Sequence, residues 1–459
     1  MYLPHHNLII VLFCVHVYFS HGFTNDDDDV CYSRKHRDCD FDKNYKRLVC
    51  FEDIKNEWKA KAKDADVLIV CEWQRAVFNP QEVLRGFTSL RELAIAKSAN
   101  LIRMPTAFPT EMEHLENITV TDTKLRTIRK DAFSNLPCLK CLDLRNNDVE
   151  EIDVTAVNEN VLERLYLSGN PLRCTEDTAW ILNSSEGSVA SKVVDKDKLL
   201  CAAPFDRRPL VPVVEIIATL KEECKRTVCD CELIYVINAG ELTDKQLIFN
   251  SINCSRRGLT EMPNFLPANT TTLRLTGNQI KDLTPLTTNP VYKSVLDLYL
   301  DDNLIESIVQ LEGSYWLDNF RLLNLRGNRL TDLPTYTLEN ALLYNKGVAG
   351  LFLGNNSWTC DCHFTPSFQD LLNRHLDLIK DAKDIRCAVS ANDNNSKRQI
   401  RDLRRTEICI PSEDSWFHFL DVVNIILASL IFLLFGNFLY DYWIYKTTGR
   451  LPWIATKIC

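Results

Sequence analysis

A nine-residue pattern recurs through the middle of the chain and constrains its fold more than any other feature. The pattern is LxxLxLxxN, with leucines at fixed spacing and an asparagine at its end. Two degenerate copies, at Leu93 and Ile118, come first. Successive copies lie 25, 24 and 23 residues apart in a first set, and 25, 25 and 28 apart in a second. The central leucines of the six clear copies are Leu142, Leu165, Leu273, Leu298, Leu323 and Leu351.

These copies have the period of a leucine-rich repeat. In such a repeat the LxL segment is a short strand whose leucines point into the core, while the residue between them faces solvent on the concave side. The asparagine turns the chain, and its amide satisfies backbone groups of the turn. Because one repeat cannot bury its apolar face alone, neighbours must stack. The sequence therefore predicts an α/β solenoid with two short leucine-rich repeat blocks, at 86–173 and 268–357.

Residues 1–22 have the composition of a secretory signal peptide. An apolar run extends from Leu8 to Phe19, and the small residues Ser20 and Gly22 follow it, so we expect cleavage after Gly22. The alternative is an N-terminal membrane anchor. A run of this length disfavours an anchor, because a span needs about 20 apolar residues.

A second apolar run lies near the C-terminus, from Val422 to Leu439. Aromatic residues flank this run, as they flank membrane spans at the two interfaces. Acidic residues precede it and basic residues follow it, which predicts that its C-terminal side is cytoplasmic. We expect a transmembrane helix at 417–441, a cytoplasmic tail at 446–459 and a type I orientation in the cell membrane. The alternative is a buried core helix.

Cysteine is as frequent as the usual loop-forming residues, with 18 cysteines against 14 glycines and 17 prolines. This density indicates an oxidising compartment or metal sites. We expect disulfide-bonded caps at 23–85, 174–223, 224–267 and 358–411, because a solenoid must close its exposed core at each end. Zinc is the alternative for the two Cys-x-Cys pairs, and the secretory route disfavours it. The fourteen cap cysteines are Cys31, Cys39, Cys50, Cys71, Cys174, Cys201, Cys224, Cys229, Cys231, Cys254, Cys360, Cys362, Cys387 and Cys409.

Cys138 and Cys141 stand apart, inside a repeat. They could be free, bridged to each other or paired with a partner chain. We favour a bridge between them, because free surface thiols are unusual outside the cell.

Six Asn-x-Ser/Thr sequons support a secretory route and are candidate glycosylation sites. Asn253 is the least favourable of them, because it precedes the cap cysteine Cys254. The six are Asn117, Asn183, Asn253, Asn269, Asn355 and Asn394.

The arrangement of cysteines around the repeats resembles the cysteine-flanked caps of extracellular leucine-rich proteins. That resemblance implies one bridge in the first C-terminal-type cap, where Glu176 stands in place of a cysteine. The order of repeats and caps before a span resembles the juxtamembrane part of insect Toll receptor ectodomains, without the intracellular TIR domain. The implied pairs are Cys360–Cys387, Cys362–Cys409, Cys224–Cys231, Cys229–Cys254 and, by what remains, Cys174–Cys201.

The tail segment KTTGRLPWIATKI adds a resemblance to the insect halfway and singed wings group of leucine-rich membrane proteins. Membership would imply a developmental role, with the ecdysone-induced cascade as the candidate pathway.

No catalytic pattern is present, since HExxH, GxSxG and GxxxxGK[ST] are all absent from the chain. The net charge is -9, so the chain lacks the overall basic character that binding to nucleic acid requires. We therefore expect no enzyme, no cofactor, no metal, no nucleic-acid partner and no small-molecule substrate.

The leading hypothesis is a cell-surface protein that binds a protein ligand or co-receptor through the concave face. Tyr166, Arg274, Tyr299 and Phe352 stand between the leucines of their repeats, and such residues are common binding anchors. A solvated face with aromatic rings packed between neighbouring strands is the simpler alternative. Cell adhesion and an auxiliary subunit that acts through its transmembrane helix are the other functional alternatives.

Overall fold

Short parallel strands follow one another along the chain, as the leucine pattern predicts. The computed structural model describes residues 31, 38–238, 246–389, 395–409 and 419–449, so the predicted signal peptide lies outside the described residues. The strands are β1 Asp40–Asp42, β2 Arg47–Phe51, β3 Val67–Cys71, β4 Glu92–Ala96, β5 Arg103–Met104, β6 Asn117–Thr121, β7 Thr127–Ile128, β8 Cys141–Asp143, β9 Arg164–Tyr166, β10 Asp230–Asn238, β11 Gln246–Asn253, β12 Thr270–Arg274, β13 Asp297–Tyr299, β14 Leu322–Asn324 and β15 Gly350–Phe352. The helices are α1 Asn56–Lys61, α2 Pro80–Val83, α3 Leu210–Cys224, α4 Pro285–Thr288, α5 Tyr315–Asn319, α6 Thr335–Tyr344, α7 Thr365–Arg374, α8 Arg405–Ile408 and α9 Phe419–Thr448.

Two sheets contain almost all of these strands. The first has the order β1-β2-β3-β4-β6-β8-β9 and the second has the order β10-β11-β12-β13-β14-β15, while β5 pairs with β7. Each sheet begins with an antiparallel hairpin and continues with parallel strands. The central leucines pair in register and are buried, as in Leu273, Leu298, Leu323 and Leu351. The predicted leucine-rich repeat solenoid is confirmed.

The parallel stack begins earlier than the predicted first block. Leu48 of β2 pairs with Leu68 of β3, which pairs with Leu93 of β4, and all three side chains are buried. These two strands lie within 23–85, and the leucine pattern does not identify them because no asparagine follows either one. The same segment holds disulfides between Cys31 and Cys71 and between Cys39 and Cys50. The N-terminal segment therefore combines a cap with two further turns of the solenoid.

A ladder of buried asparagines follows the strands. The amide nitrogen of Asn303 donates to the carbonyls of Leu275 and Leu300 at 2.9 and 3.0 Å, and its oxygen accepts from the Ile280 N–H at 3.0 Å. One side chain thus satisfies backbone groups in two successive repeats. The degenerate copies of the first block use hydroxyls instead. Ser98 accepts from the Trp73 N–H at 2.9 Å, for example.

The C-terminal end of each sheet is closed by an aspartate from the following cap. Asp195 accepts hydrogen bonds from the N–H groups of Leu167 at 3.0 Å and Ser168 at 2.7 Å. Asp381 accepts from the corresponding N–H groups, those of Leu353 at 2.9 Å and Gly354 at 2.7 Å. Each carboxylate takes the place of the carbonyls that a further strand would supply, so the last strand keeps no orphan donors there.

Disulfides hold both C-terminal-type caps. Cys174 is bonded to Cys201 and Cys360 to Cys387, and in each pair the Cα atoms lie 5.6 Å apart. The second cap has a further bridge, from Cys362 to Cys409.

The two blocks are joined without a linker. Helix α3 ends at Cys224, which is bonded to Cys231 of β10, and Cys229 is bonded to Cys254. The carboxylate of Glu223 accepts from the Ala268 N–H at 2.8 Å. One continuous cluster of buried apolar residues extends from Cys39 to Leu403. The blocks therefore form one solenoid with a covalent joint.

Helix α9 stands outside this core, with exposed apolar side chains along its length. Its segment Leu420–Thr448 has 29 residues and is long and apolar enough to cross a membrane. At 1.5 Å per residue this is about 43 Å, which exceeds the hydrocarbon core of about 30 Å. The helix extends past the predicted end at residue 441, so the aromatic and basic residues up to Thr448 continue the same helix.

Candidate partner-binding face

The residues between the paired leucines form a row across the concave face of each sheet, which we call the central row. In the first sheet it contains Ala94, Thr119, Asp143 and Tyr166. In the second sheet it contains Arg274, Tyr299, Asn324 and Phe352. The strands therefore bring Arg274, Tyr299 and Phe352 together in one sheet and place Tyr166 in the other.

The central row of the first sheet offers little side-chain surface at its C-terminal end. Tyr166 is only 6% exposed, and the guanidinium of Arg145 lies 5.0 Å from the centre of its ring. Arg145 donates to the carboxylate of buried Asp143 at 2.9 and 3.0 Å, and this hydrogen bond raises the pKa of Arg145. The expected exposure of Tyr166 is therefore wrong, because Arg145 from the preceding repeat packs over the ring.

The central row of the second sheet is more accessible. Arg274 is exposed, and its guanidinium lies 4.2 Å from the centre of the Tyr299 ring. Tyr299 and Phe352 are half-buried, so part of each ring faces solvent. Phe352 lies two strands from Tyr299, or about 10 Å at normal strand spacing. A cation and two aromatic rings thus share one face, a combination frequent in protein interfaces.

Charged residues flank this row, and reasoning from the LxL pattern alone does not identify them. Asp297 precedes the central leucine of its repeat and is paired with Arg321. Asp301 accepts from Thr276 at 2.9 Å and from Asn324 at 3.0 Å. The signal that could have found them is their position, since each stands one residue outside an LxL segment. The flanking charges are satisfied within the sheet, which leaves Arg274 as the exposed cation of the central row.

The hairpin of β10 and β11 adds apolar surface beside the row. Tyr235 pairs with Phe249 and Ile237 pairs with Leu247, so these four side chains lie on one face of the hairpin. Tyr235, Ile237 and Leu247 are exposed. By strand alternation Phe249 and Leu247 share the face of Ser251, which is the concave one, because Ile252 points into the core. The signal in the sequence that could have identified this apolar surface is the alternation of side chains in the segments YVI and LIF.

The candidate glycosylation sites differ in their relation to this face. Asn253 is exposed and stands beside Arg274 in the strand register. Asn117 begins β6, on the concave face of the first sheet. Asn183, Asn269 and Asn355 are exposed outside the central rows, and Asn394 lies outside the described residues. A glycan on Asn253 would lie beside Arg274 on this face.

The two internal cysteines do not form the bridge that we favoured. Cys138 is a half-buried free thiol that lies before β8, whereas Cys141 lies within β8 and is buried. Cys141 is disulfide-bonded and Cys138 is free, so the partner of Cys141 is not Cys138. Within the described residues no group of His, Cys, Asp and Glu is arranged to hold a metal ion.

Two family models match the chain, the leucine rich repeat at residues 113–172 and the Halfway C-terminal domain at residues 420–457. Protein singed wings 2 of Drosophila melanogaster is 35% identical over 406 residues, which cover 87% of this chain and 80% of that protein. The chain belongs to the singed wings 2 and halfway family. Protein halfway of Drosophila melanogaster is 28% identical over 383 residues.

The match to halfway covers 81% of this chain but only 60% of that longer family member. Among solved structures, a chain of the Drosophila Toll–Spatzle complex is 16% identical, with a TM-score of 0.33 and coverage of 79% of this chain and 67% of that one. Both family models lie on features described above, one on the first repeat block and one on α9 with the segment after it.

Proposed function

We propose that this member of the singed wings 2 and halfway family is a cell-surface protein that binds a protein partner through the concave face of its second repeat block. The observation that supports this proposal is the exposed Arg274 stacked on Tyr299, in one row with Phe352. The corresponding row of the first block ends in a buried tyrosine under Arg145. A partner would therefore gain more contact area from the second block.

The proposal includes a type I orientation, with residues 23–416 outside the cell. The basic residues after the span support it, since they favour the cytoplasmic side of a membrane. The seven disulfides between described cysteines also support it, because disulfides persist in oxidising compartments. We propose a role in developmental signalling, linked to ecdysone through the resemblance to this family, with a co-receptor that carries the signal inward.

A second candidate function is that of an auxiliary subunit that acts through α9. The match of the Halfway C-terminal domain to residues 420–457 favours it. A simple anchor requires only apolar residues, whereas a recognisable family sequence in this segment suggests specific contacts. Asn424 and Asn437 are the polar side chains that could make them within the membrane.

Proximity labelling on living cells tests the first proposal. The full chain should label reproducible extracellular neighbours, and Arg274→Ala with Tyr299→Ala should reduce that labelling by tenfold or more, because truncating central anchors costs about 2 kcal/mol or more. The matched control is Tyr336→Ala with Tyr344→Ala. These tyrosines of α6 are 76% and 83% exposed and lie away from the central row.

The result that contradicts the proposal is equal labelling by the face variant and the wild type. Replacement of residues 417–459 by an unrelated anchor separates the two candidate functions. Partner labelling should survive this replacement if the concave face binds, and it should disappear if α9 is the binding element.

A further inference from the structure

The last cap presents a basic surface that the concave face does not explain. Residues 395–409 contain five basic and two acidic residues, for a local net charge of +3 in a chain of net charge -9. Two further cations precede this segment: Lys383 lies in a short 3-10 helix, and Arg386 forms a backbone bridge with Gln399. All seven are exposed. We call them the basic cap surface: Lys383, Arg386, Lys397, Arg398, Arg401, Arg404 and Arg405.

The backbone beneath this surface is fixed. Ile400 and Leu403 are buried and point into the core, so Arg401 between them and Arg404 after them point outward. The side-chain amide of Gln369 donates to the carbonyls of both buried residues, at 2.7 and 2.8 Å. The cations are thus presented by an ordered segment rather than by a solvated run of charge, which lowers the entropic cost of binding.

A backbone bridge between Arg386 and Gln399 joins the two parts of the surface. The guanidinium of Arg386 donates to the carbonyl of Lys397 at 3.1 Å, which holds these two residues next to each other. The Cys387 N–H donates to the carbonyl of Arg398 at 3.0 Å. Because Cys387 is itself bonded to Cys360, the disulfide fixes this part of the surface to the end of the solenoid.

Few of these cations are neutralised. Arg398 pairs with Glu407 at 3.1 Å, and hydrogen bonds from the Arg404 backbone and from Arg398 lower the pKa of Glu407. Arg401 lies 3.8 Å from Asp402. Among the described residues, no ion pair within 4.0 Å is formed by the other five, which are Lys383, Arg386, Lys397, Arg404 and Arg405.

The first C-terminal-type cap shows that this charge is not needed to build a cap. There the Cys201 N–H donates to the carbonyl of Arg208 at 2.8 Å, as Cys387 does to Arg398 in the second cap. Arg207 and Lys397, one residue earlier, have the same left-handed φ of 61° and 62°. The residues that follow differ. The first cap continues with Val211, Pro212, Val213, Val214 and Glu215, where the second has Arg401, Asp402, Leu403, Arg404 and Arg405.

We propose that the basic cap surface binds a linear sulfated polysaccharide of the glycosaminoglycan class. Arginine recognises planar and tetrahedral oxyanions through paired N–H donors, and several exposed arginines in one cap suit a repeating polyanion. The cap that presents this surface ends at Cys409, ten residues before α9 begins. This inference rests on the proposed outside orientation. Anionic lipid is concentrated in the cytoplasmic leaflet, so the polyanions available outside are chiefly sulfated glycans.

The test uses the full chain in neutral detergent and heparin as the probe. Wild type should bind immobilised heparin at physiological salt, with an affinity that falls as NaCl rises. Arg401→Gln, Arg404→Gln and Arg405→Gln together should weaken binding by about 30-fold, at roughly 0.7 kcal/mol for each exposed contact. The matched control is Arg207→Gln with Arg208→Gln in the first cap, which should bind as wild type does.

Equal binding by the triple variant and the wild type would overturn the proposal, as would displacement by phosphatidylserine-containing mixed micelles but not by soluble heparin. The second result would assign the surface to lipid. The Arg274→Ala and Tyr299→Ala variant separates this inference from the proposed function, because it should lose its protein neighbours and still bind heparin. Thermal unfolding of each variant confirms that the cap is intact.

Discussion

The two halves of the solenoid are built to one plan and close in two different ways. In each half a cysteine after the last strand is bonded to another 27 residues later, and an aspartate covers the edge of that strand. The second cap then closes on itself through Cys362 and Cys409. In the first cap Glu176 occupies the position of Cys362, and it pairs with Lys221 of α3 at 3.1 Å.

The cysteine that directly follows the first cap has a different kind of partner from its counterpart in the second cap. Cys224 lies 23 residues after Cys201, as Cys409 lies 22 residues after Cys387, yet Cys224 is bonded forward to Cys231. The absence of a cysteine at position 176 thus coincides with a bond from Cys224 into the next half. The comparison teaches that an internal cap can give up its own closure, because the following hairpin of β10 and β11 supplies one.

The largest effect should come from opening the second cap. Cys362→Ser with Cys409→Ser removes a bridge that closes a sequence separation of 47 residues, and we expect a loss of about 4 kcal/mol in unfolding free energy. Urea unfolding of the full chain, followed by tryptophan fluorescence, measures it. Cys138→Ser is the control, since it removes a thiol that forms no bridge. A loss no greater than that of the control would show that the second cap does not need its own closure.

The next effect compares the two repeat blocks. Asn328→Ala removes hydrogen bonds to the carbonyls of Leu300 and Leu325 and from the Ile305 N–H, so three backbone groups lose a partner. We expect a loss of about 3 kcal/mol. Ser98→Ala in the first block should cost about 1 kcal/mol, because chiefly the Trp73 N–H loses its acceptor. Equal losses in the same unfolding assay would mean that the hydroxyl is as strong a ladder residue as the asparagine.

The smallest effect belongs to the ion pair that replaces a disulfide. The side chains of Lys221 and Glu176 are 45% and 57% exposed, so Lys221→Ala should change stability by less than about 1 kcal/mol. The change should shrink further in 0.5 M NaCl, because salt screens exposed charges. A loss comparable to that of the double cysteine variant would mean that the ion pair, and not the β10–β11 hairpin, closes the first cap.

The repeat pattern predicted the strands because it combines two independent signals, strand alternation and the asparagine turn. The strands of the degenerate copies at Leu93 and Ile118 could be predicted from the repeat period alone. The strands at Leu48 and Leu68 could not be predicted as repeats, because no asparagine follows them in this cysteine-rich segment and their apolar runs resemble those of any buried strand. Sequence thus identified the middle of the solenoid and not its beginning.

The candidate face was predictable only in part. The repeat pattern placed Tyr166, Tyr299 and Phe352 in equivalent positions, but the exposure of each side chain depends on the neighbouring repeat. Arg145 stands two residues after the central position of its own repeat and covers Tyr166, which no rule about LxL segments anticipates. Arg274 stands in the central position itself and leaves Tyr299 partly open. The difference lies in side-chain reach between strands, which spacing does not encode.

The forward disulfide at Cys224 has a mechanical consequence. A load applied to the first block passes through the 15-residue helix α3 into a covalent bond with β10, and not through a slack connector. The joint between the two blocks should therefore transmit a pull with little extension of the chain. A partner that binds either half would then load both halves.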